Sequence, residues 1–249
     1  MNTHKSIALE LLILFLCVIF CVSLSGVLTL IIFKIIGYNF VSNNDITPMA
    51  YIIAGFFNQL IGFIGAFLLY LKLTKQSFSK SILISAPKYK LMTLTFVLLV
   101  LSFPTVSWLA SINENLKTLI PNNSFILEGE ATQQLQQKLL TDPSVLLLIL
   151  KIVVIGIVTA FAEELIFRGV LLKKIETSSN NKHYAVIVSA LIFAIVHLQP
   201  LMLLPMFFLG LVLGYLYTQT KNLSYSILFH ALFNTSTILI GYFYPELLN

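Results

Sequence analysis

The sequence predicts an all-α protein that crosses a membrane several times. Of its 249 residues, 58% are hydrophobic and 10% are charged, whereas about 25% of the residues of a typical soluble domain are charged. The mean hydropathy is +0.93. Most of the apolar stretches approach the roughly 20 residues that a helix needs to cross a bilayer. We therefore predict a polytopic transmembrane helical bundle with about seven spans, and this composition excludes a soluble peptidase.

The apolar stretches give the predicted spans in chain order. The first, residues 7–36, is too long for the core of a signal peptide, so we expect it to be retained as a helix. The others lie at roughly 49–71, 91–110, 144–172, 184–198, 201–218 and 222–244. Only Gln199 and Pro200 separate the fifth stretch from the sixth, so these two form either a tight helical hairpin or one irregular element. The predicted number of spans is therefore seven, to within one span.

Charged residues between the spans predict the orientation of the chain. Lysines dominate the connections at 72–90, which includes Lys80, and at 173–183, and lysine-rich connections stay in the cytoplasm. The connection at 37–48 contains Asp45 and no lysine, and 111–143 is rich in acids, so both are predicted outside. This alternation puts the N-terminus in the cytoplasm. The net charge of +5 comes from these orienting lysines, and we expect no nucleic-acid partner.

The chain divides into two parts by the position of its polar residues. Residues 1–143 hold three predicted spans and the 111–143 segment, whose glutamine-rich stretch is either an amphipathic helix on the outer surface or a plain linker. Residues 144–249 hold the later spans, in which charged and polar residues lie deep in apolar sequence. We therefore expect the chemistry of the protein in a helical core formed by 144–249.

The span at 144–172 contains Glu163, Glu164 and Arg168 in its interior. An ionised side chain at the centre of a bilayer costs about 2.5–3.5 kcal/mol on insertion scales, so each of these residues needs a partner or a function. Glu164 and Arg168 are four residues apart on a helix and are predicted to pair. Glu163 lies about 100° further round the helix and faces something else. The pair has either a structural role, in orienting Glu163, or a direct chemical one.

Two later spans carry polar residues at a spacing of four. Phe193 and His197 share one helix face, and His230 and Asn234 share another. Counting the helical rise from the predicted cytoplasmic ends puts both histidines and Asn234 at about the depth of Glu163. Because lipid offers no hydrogen-bond partners, we predict that these groups converge on one cavity.

Small residues on the 201–218 span predict close helix packing. Gly210 and Gly214 are four residues apart and therefore lie on one face of a helix. Such small-residue faces let the backbones of two helices approach closely in a membrane. We interpret these glycines as packing residues and not as part of a site.

A carboxylate, two imidazoles and an amide suit hydrolysis by an activated water. Glu163 is the predicted general base, and a histidine can share its water or hold a metal. His230 and Asn234 are predicted to donate hydrogen bonds to the oxyanion that forms when water attacks a peptide carbonyl. Glu163, His197 and His230 are equally a ligand set for Zn²⁺ with an open position. The residues leave zinc-dependent and metal-free hydrolysis open.

Three motifs occur in order on successive predicted helices: Glu163-Glu164-x-x-x-Arg168, Phe193-x-x-x-His197 and His230-x-x-x-Asn234. This ordered set resembles the CPBP intramembrane proteases, the Abi or type II CAAX prenyl endopeptidase family. The resemblance implies an intramembrane endopeptidase in which Glu163 and His197 activate water while His230 and Asn234 stabilise the oxyanion. Glu164 then joins the catalytic set, and Arg168 and Phe193 orient it. Zinc-dependent and glutamate-dependent mechanisms are both attributed to this family.

The resemblance also implies a choice of biological roles. Members of this family remove C-terminal tripeptides from prenylated proteins, mature peptide pheromones or confer self-immunity to bacteriocins. The excess of lysine over arginine, together with many Ile, Asn and Phe residues, indicates an AT-rich bacterial genome, in which prenylated substrates are less expected. We therefore expect a multi-pass protein of a bacterial plasma membrane that acts on a membrane-associated peptide or protein.

Two other functions would also explain buried charge in a membrane protein. A proton-coupled transporter uses buried Glu, His and Arg residues as a relay, but it predicts broken helices at matching positions in both halves of the chain. A non-catalytic immunity or scaffold protein would keep the same motifs for folding alone. Replacement of Glu163 by Gln separates an enzyme from the scaffold protein.

Overall fold

The computed structural model describes residues 3–37, 47–78, 83–117 and 124–248, and these residues form helices and turns without a strand. Within these described ranges, eight helices have 15 residues or more. In chain order they are α1 (Thr3–Ile35), α2 (Pro48–Leu73), α3 (Tyr89–Lys117), α4 (Ser124–Leu140), α5 (Val145–Ser179), α6 (Lys182–Val196), α7 (Leu203–Thr220) and α8 (Leu223–Phe243). Short 3₁₀ turns lie at Pro200–Met202 and Pro245–Leu248.

Six of these helices, all except α4 and α6, are long and apolar enough to cross a membrane, counted over the described ranges. Helix α6 is apolar but has 15 residues, which gives a length of about 22 Å against a hydrocarbon core of about 30 Å. It ends there because Leu198 has a φ of 52° and Pro200 cannot continue a helix. The predicted polytopic helical bundle is confirmed, with six long spans and a shorter seventh helix that pairs with α7 as a hairpin.

Contacts between the termini of the helices define the two ends of the bundle. At the first end, Lys174 of α5 forms an ion pair with Glu10 of α1. Near the start of α8, the Asn222 amide donates a hydrogen bond to the carbonyl oxygen of Ser85, at 3.0 Å, in the connection before α3. Lys221 pairs with Glu176 at 2.7 Å. These contacts join the connections that the lysines predict to be cytoplasmic.

Contacts at the second end join the connections that are predicted outside. The Asn113 side chain, in the last part of α3, donates to the carbonyl oxygen of Pro200 and accepts from the backbone N–H of Leu204. The Tyr242 hydroxyl donates to the carbonyl oxygen of Pro143 at 3.2 Å. The chain therefore alternates between the two ends, and α6 counts as one traverse. Asp45 and Lys80 of the predicted topology lie outside the described residues.

The glutamine-rich segment forms helix α4. Lys151 of α5 is fully buried, and its ammonium group donates to the carbonyl oxygens of Leu139 at 2.9 Å and Leu140 at 3.1 Å. These are carbonyls that the end of a helix leaves without partners, so Lys151 caps α4 and fastens it to α5. Lys151 was not predicted to have this role, although it is a charge inside a predicted span.

The largest apolar core draws on both parts of the chain. Leu14 and Cys17 of α1 and Phe67 of α2 belong to the same buried cluster as Phe167 of α5 and Phe193 of α6. Cys17 and its neighbour Cys21 are free and buried, as expected of small hydrophobic residues. The first two helices therefore pack directly against the helix that carries Glu163.

Two of the spans depart from regular α-helical hydrogen bonding. Helix α2 makes i→i+5 bonds over Asn58–Ile64, and α5 makes them over Ile152–Val158 and Leu165–Leu172. Between the two irregular parts of α5 lies the short α-helical segment Thr159–Glu164, which contains Glu163. Such wider turns are rare and occur frequently at functional sites.

Candidate active site

Glu163 lies at the meeting point of α5, α6 and α8. Its side chain is buried, at 6% exposure. The carboxylate oxygen Oε2 lies 3.9 Å from Nε2 of His197 and 3.9 Å from Nε2 of His230. The side chains of Glu163, His197 and His230 are far apart in sequence, and in the structure both imidazoles face the Oε2 atom of Glu163.

His197 is held by its own helix. It follows the last residue of α6, and its Nδ1 donates to the carbonyl oxygen of Phe193 at 2.6 Å. The Phe193 ring lies 4.5 Å from the imidazole, between ring centres. Because Nδ1 carries the proton in this bond, Nε2 of a neutral His197 presents a lone pair to Glu163. The side chain is 21% exposed, so it is the most accessible of the three.

His230 is held by Glu164. The His230 Nδ1 atom lies 3.0 Å from Oε1 of Glu164, whose carboxylate is the acceptor. A neutral His230 therefore also presents an Nε2 lone pair to Glu163, and it donates from Nε2 only when it is an imidazolium.

The predicted pair of Glu164 and Arg168 forms and is fully buried. The Arg168 guanidinium also donates through Nη2 to the carbonyl oxygen of Gly210, at 3.2 Å. Its central carbon lies 4.7 Å from the centre of the Phe193 ring, within the range of a cation–π contact. Arg168 thus links α5 to α6 and α7, and it holds the carboxylate that in turn holds His230.

Asn234 contacts the backbone of α5. Its amide donates to the carbonyl oxygen of Ile155 at 3.0 Å. Ile155 lies in the Ile152–Val158 segment, where the i→i+5 pattern displaces the regular carbonyl partners. The bond fastens α8 to α5 and uses one of the two N–H groups of the amide.

Gln59 of α2 is a site residue that the sequence analysis missed. Its side chain is 8% exposed, and its Nε2 donates to Oε1 of Glu163 at 3.4 Å. Oε1 of Gln59 and Oε2 of Glu163 are buried and make no hydrogen bond within the described residues. The available signal was the polar pair Asn58 and Gln59 in the middle of an otherwise apolar predicted span.

The donor types around Glu163 suit zinc, and in this structure they lie further apart than the ligands of a bound ion. Ligands of tetrahedral zinc with bonds of about 2.0–2.1 Å lie about 3.3 Å apart. The carboxylate oxygen of Glu163 lies 3.9 Å from each histidine nitrogen. Over the described ranges, no group of three His, Cys, Asp or Glu side chains is arranged to hold a metal ion.

One comparison with known proteins bears on this site. Residues 145–236 match a protein family described as Type II CAAX prenyl endopeptidase Rce1-like. The match starts at the first residue of α5, runs into α8 and contains all three motifs. No curated protein and no solved structure matches the chain.

Proposed function

Through residues 145–236 the chain belongs to the type II CAAX prenyl endopeptidase family, and from this premise we propose that it hydrolyses a peptide bond with a water activated by Glu163. The observation that supports this reaction most is the position of Glu163 Oε2, 3.9 Å from Nε2 of both His197 and His230. A water oxygen that makes hydrogen bonds of about 2.8 Å fits between Oε2 and either histidine nitrogen, because 3.9 Å is shorter than two such bonds.

In the proposed reaction Glu163 is the general base. Its Oε2 takes a proton from the water, while Nε2 of His197 accepts a hydrogen bond from the other O–H and orients the molecule. The water oxygen then attacks the carbonyl carbon of the scissile bond. As that bond breaks, the protonated Glu163 gives its proton to the leaving amine nitrogen, which restores the carboxylate.

His230 and Asn234 are proposed to stabilise the oxyanion of the tetrahedral intermediate. His230 does so in its doubly protonated form, through its Nε2–H, while the hydrogen bond from Nδ1 to Glu164 fixes the orientation of the ring. Asn234 contributes the amide N–H that is not bonded to Ile155. Glu164, Arg168 and Phe193 act as positioning residues, because their contacts reach the reacting atoms only through His230 and His197.

The substrate that fits this site is a peptide or protein associated with the membrane. Glu163 and His230 lie on helices long enough to span a bilayer, and His197 follows the shorter apolar helix α6, so a substrate has to reach the site at membrane depth. We further propose a bacterial plasma membrane with the N-terminus in the cytoplasm, and a role in peptide processing or bacteriocin self-immunity.

The test compares membrane peptides and small membrane proteins by mass spectrometry between strains. We expect a shortened species in the wild type that is absent from Glu163→Gln, because Gln is nearly isosteric but is not a base. The matched control is Glu176→Gln, the same change on the same helix at a residue paired with Lys221. Persistence of the product in Glu163→Gln, at normal protein levels, would contradict the enzymatic proposal and favour a non-catalytic role.

The alternative proposal is a zinc-dependent reaction in which Glu163, His197 and His230 are ligands. Elemental analysis of the purified protein tests it. About one zinc per chain in the parent, lost in His197→Ala, supports the alternative. No zinc in a parent preparation that retains activity supports the reaction described above.

A further inference from the structure

A positively charged pocket lies at the first end of the bundle, about two helical turns from Glu163 along α5. It is formed by the residues that follow α2 and by the last turns of α5, and its volume is about 320 Å³. The polar side chains that line it are those of Lys75, Gln76, Ser77, Lys173, Lys174 and Thr177. One water occupies about 30 Å³ in the liquid, so the pocket has room for a group much larger than a water.

The charges around this pocket favour an anion. The residues that line it include three lysines and no acidic residue, and the carboxylate of Glu10 on α1 contacts one of these lysines. Glu10 forms an ion pair with Lys174 and accepts hydrogen bonds from the Gln76 amide at 3.0 Å and the Tyr70 hydroxyl at 3.1 Å. The lining residues themselves therefore carry positive charge only.

The depth of the pocket matches that of lipid headgroups. Helix α2 ends at Leu73 and the apolar part of α5 at Leu172, and Lys75 and Lys173 follow within two residues of these ends. Leu73 and Phe78, next to the pocket in sequence, are 57% and 44% exposed, which is expected of residues that face acyl chains. The positive charge therefore lies at the boundary between hydrocarbon and water, where lipid phosphates are found.

We propose that this pocket binds the phosphate group of an anionic phospholipid. Basic pockets between helices at the cytoplasmic surface recognise such headgroups, and the lysine distribution predicts that this end is cytoplasmic. The floor of the pocket includes Gly169 and Val170, which follow Arg168. A bound headgroup would bridge α2 and α5, the helices that carry Gln59 and Glu163.

Lipid binding to the purified full-length protein tests this proposal without any proteolysis assay. Native mass spectrometry in detergent would measure the binding of phosphatidylglycerol and of phosphatidylcholine with the same acyl chains. We expect the parent to prefer phosphatidylglycerol, and Lys75→Gln/Lys173→Gln to bind it about tenfold more weakly. The matched control, Lys88→Gln/Lys90→Gln, removes two lysines from the same end of the bundle but outside the pocket, and it should keep the preference.

Three results would overturn the proposal. The first is equal binding of the two lipids by the parent. The second is an equal loss in both double variants, which would indicate attraction to the surface charge as a whole. The third is inorganic phosphate binding as tightly as phosphatidylglycerol, which would make the pocket a site for the free ion. Equal thermal unfolding of both variants confirms that each is folded, and Lys75→Gln alone replaces the double variant if it is not.

Discussion

The two carboxylate oxygens of Glu163 have different surroundings. Oε1 accepts a hydrogen bond from Gln59, whereas Oε2 faces the Nε2 atoms of both histidines. Gln59 therefore selects which oxygen is turned towards the histidines. In the proposed reaction this selection keeps the basic oxygen next to the water.

Gln59→Leu is expected to lower kcat by about 10- to 100-fold, because Glu163 loses the contact that fixes its orientation. KM should change little, since Gln59 acts through Glu163. The measurement is steady-state hydrolysis of the substrate identified by mass spectrometry. Asn58→Ala is the control, because the neighbouring Asn58 contacts Ser25 on α1. Equal losses in the two variants would show that this part of α2 supports folding and not the orientation of Glu163.

The buried pair of Glu164 and Arg168 gives a stability prediction. Arg168→Met leaves the Glu164 carboxylate buried without its partner, which costs about 3–5 kcal/mol. The double variant Glu164→Gln/Arg168→Met removes that charge and should recover much of the loss. Unfolding in mixed detergent micelles measures both free energies.

The same double variant should stay poorly active, since His230 no longer contacts a carboxylate. A double variant as unstable as Arg168→Met would instead assign the stability to the contacts of Arg168 with Gly210 and Phe193.

These residues also show which contacts of the site could be predicted from the sequence. The pairing of Glu164 with Arg168 follows from a spacing of four on a helix, so it could be predicted. The contact of Gln59 with Glu163 spans 104 residues, and no local spacing rule relates the two. The sequence also could not predict which nitrogen of each histidine faces Glu163. That choice depends on the Phe193 carbonyl and the Glu164 carboxylate, which accept hydrogen bonds from the Nδ1 atoms.

At the scale of elements, α6 and α7 approach each other closely. A Cβ atom placed on Gly210 would lie 2.9 Å from both Cα and Cβ of Ala190 and 3.2 Å from its carbonyl oxygen. Two of these three contacts are with backbone, which cannot move aside without shifting a helix. The predicted packing role of Gly210 is thus confirmed, and its carbonyl also accepts from Arg168.

Gly210→Ala is expected to destabilise the protein by about 1–3 kcal/mol, the usual cost of overpacking. Gly214→Ala should cost less, because its added methyl would meet side-chain atoms of Val186 and Leu172, which can move. Thermal unfolding in detergent compares the two variants. If Gly214→Ala proves the more damaging, the close approach at Ala190 is not what limits the packing of α6 on α7.

The irregular parts of the helices could not be predicted. Apolar periodicity identified α2 and α5 as spans, but it does not distinguish i→i+5 from i→i+4 hydrogen bonds. The carbonyl of Ile155 that receives the Asn234 amide belongs to such a segment. The hairpin of α6 and α7 was one of two predicted alternatives, and Pro200 explains the turn between them.

At the scale of the whole molecule, the contacts at each end fit a chain that alternates between two sides of a membrane. Reporter fusions test the predicted orientation. Alkaline phosphatase fused after residue 248 should be active, because seven traverses from a cytoplasmic N-terminus end outside. The same reporter fused after residue 180 should be inactive, and a fluorescent protein there should fold. Activity at 180 and none at 248 would invert the topology.

The predicted division at residue 143 followed from where the polar residues are concentrated. It identified the helices of the three motifs, but α2 belongs to the first part and supplies Gln59 to Glu163. The sequence does not mark Gln59 as a site residue, because one amide among apolar residues has no distinctive spacing. Only the folded structure shows that this amide contacts the carboxylate of Glu163.

The short length of α6 bears on how water reaches this site. Tyr184, Ile187, Leu191 and Ile195 are exposed along α6, so this helix forms part of the outer wall of the protein. Lipid bordering a wall about 8 Å shorter than the hydrocarbon core accommodates the hydrophobic mismatch by thinning locally. We expect the bilayer to be locally thinner beside His197, which would shorten the path from bulk water to Glu163. The same mismatch would lead the protein to favour thinner regions of the membrane.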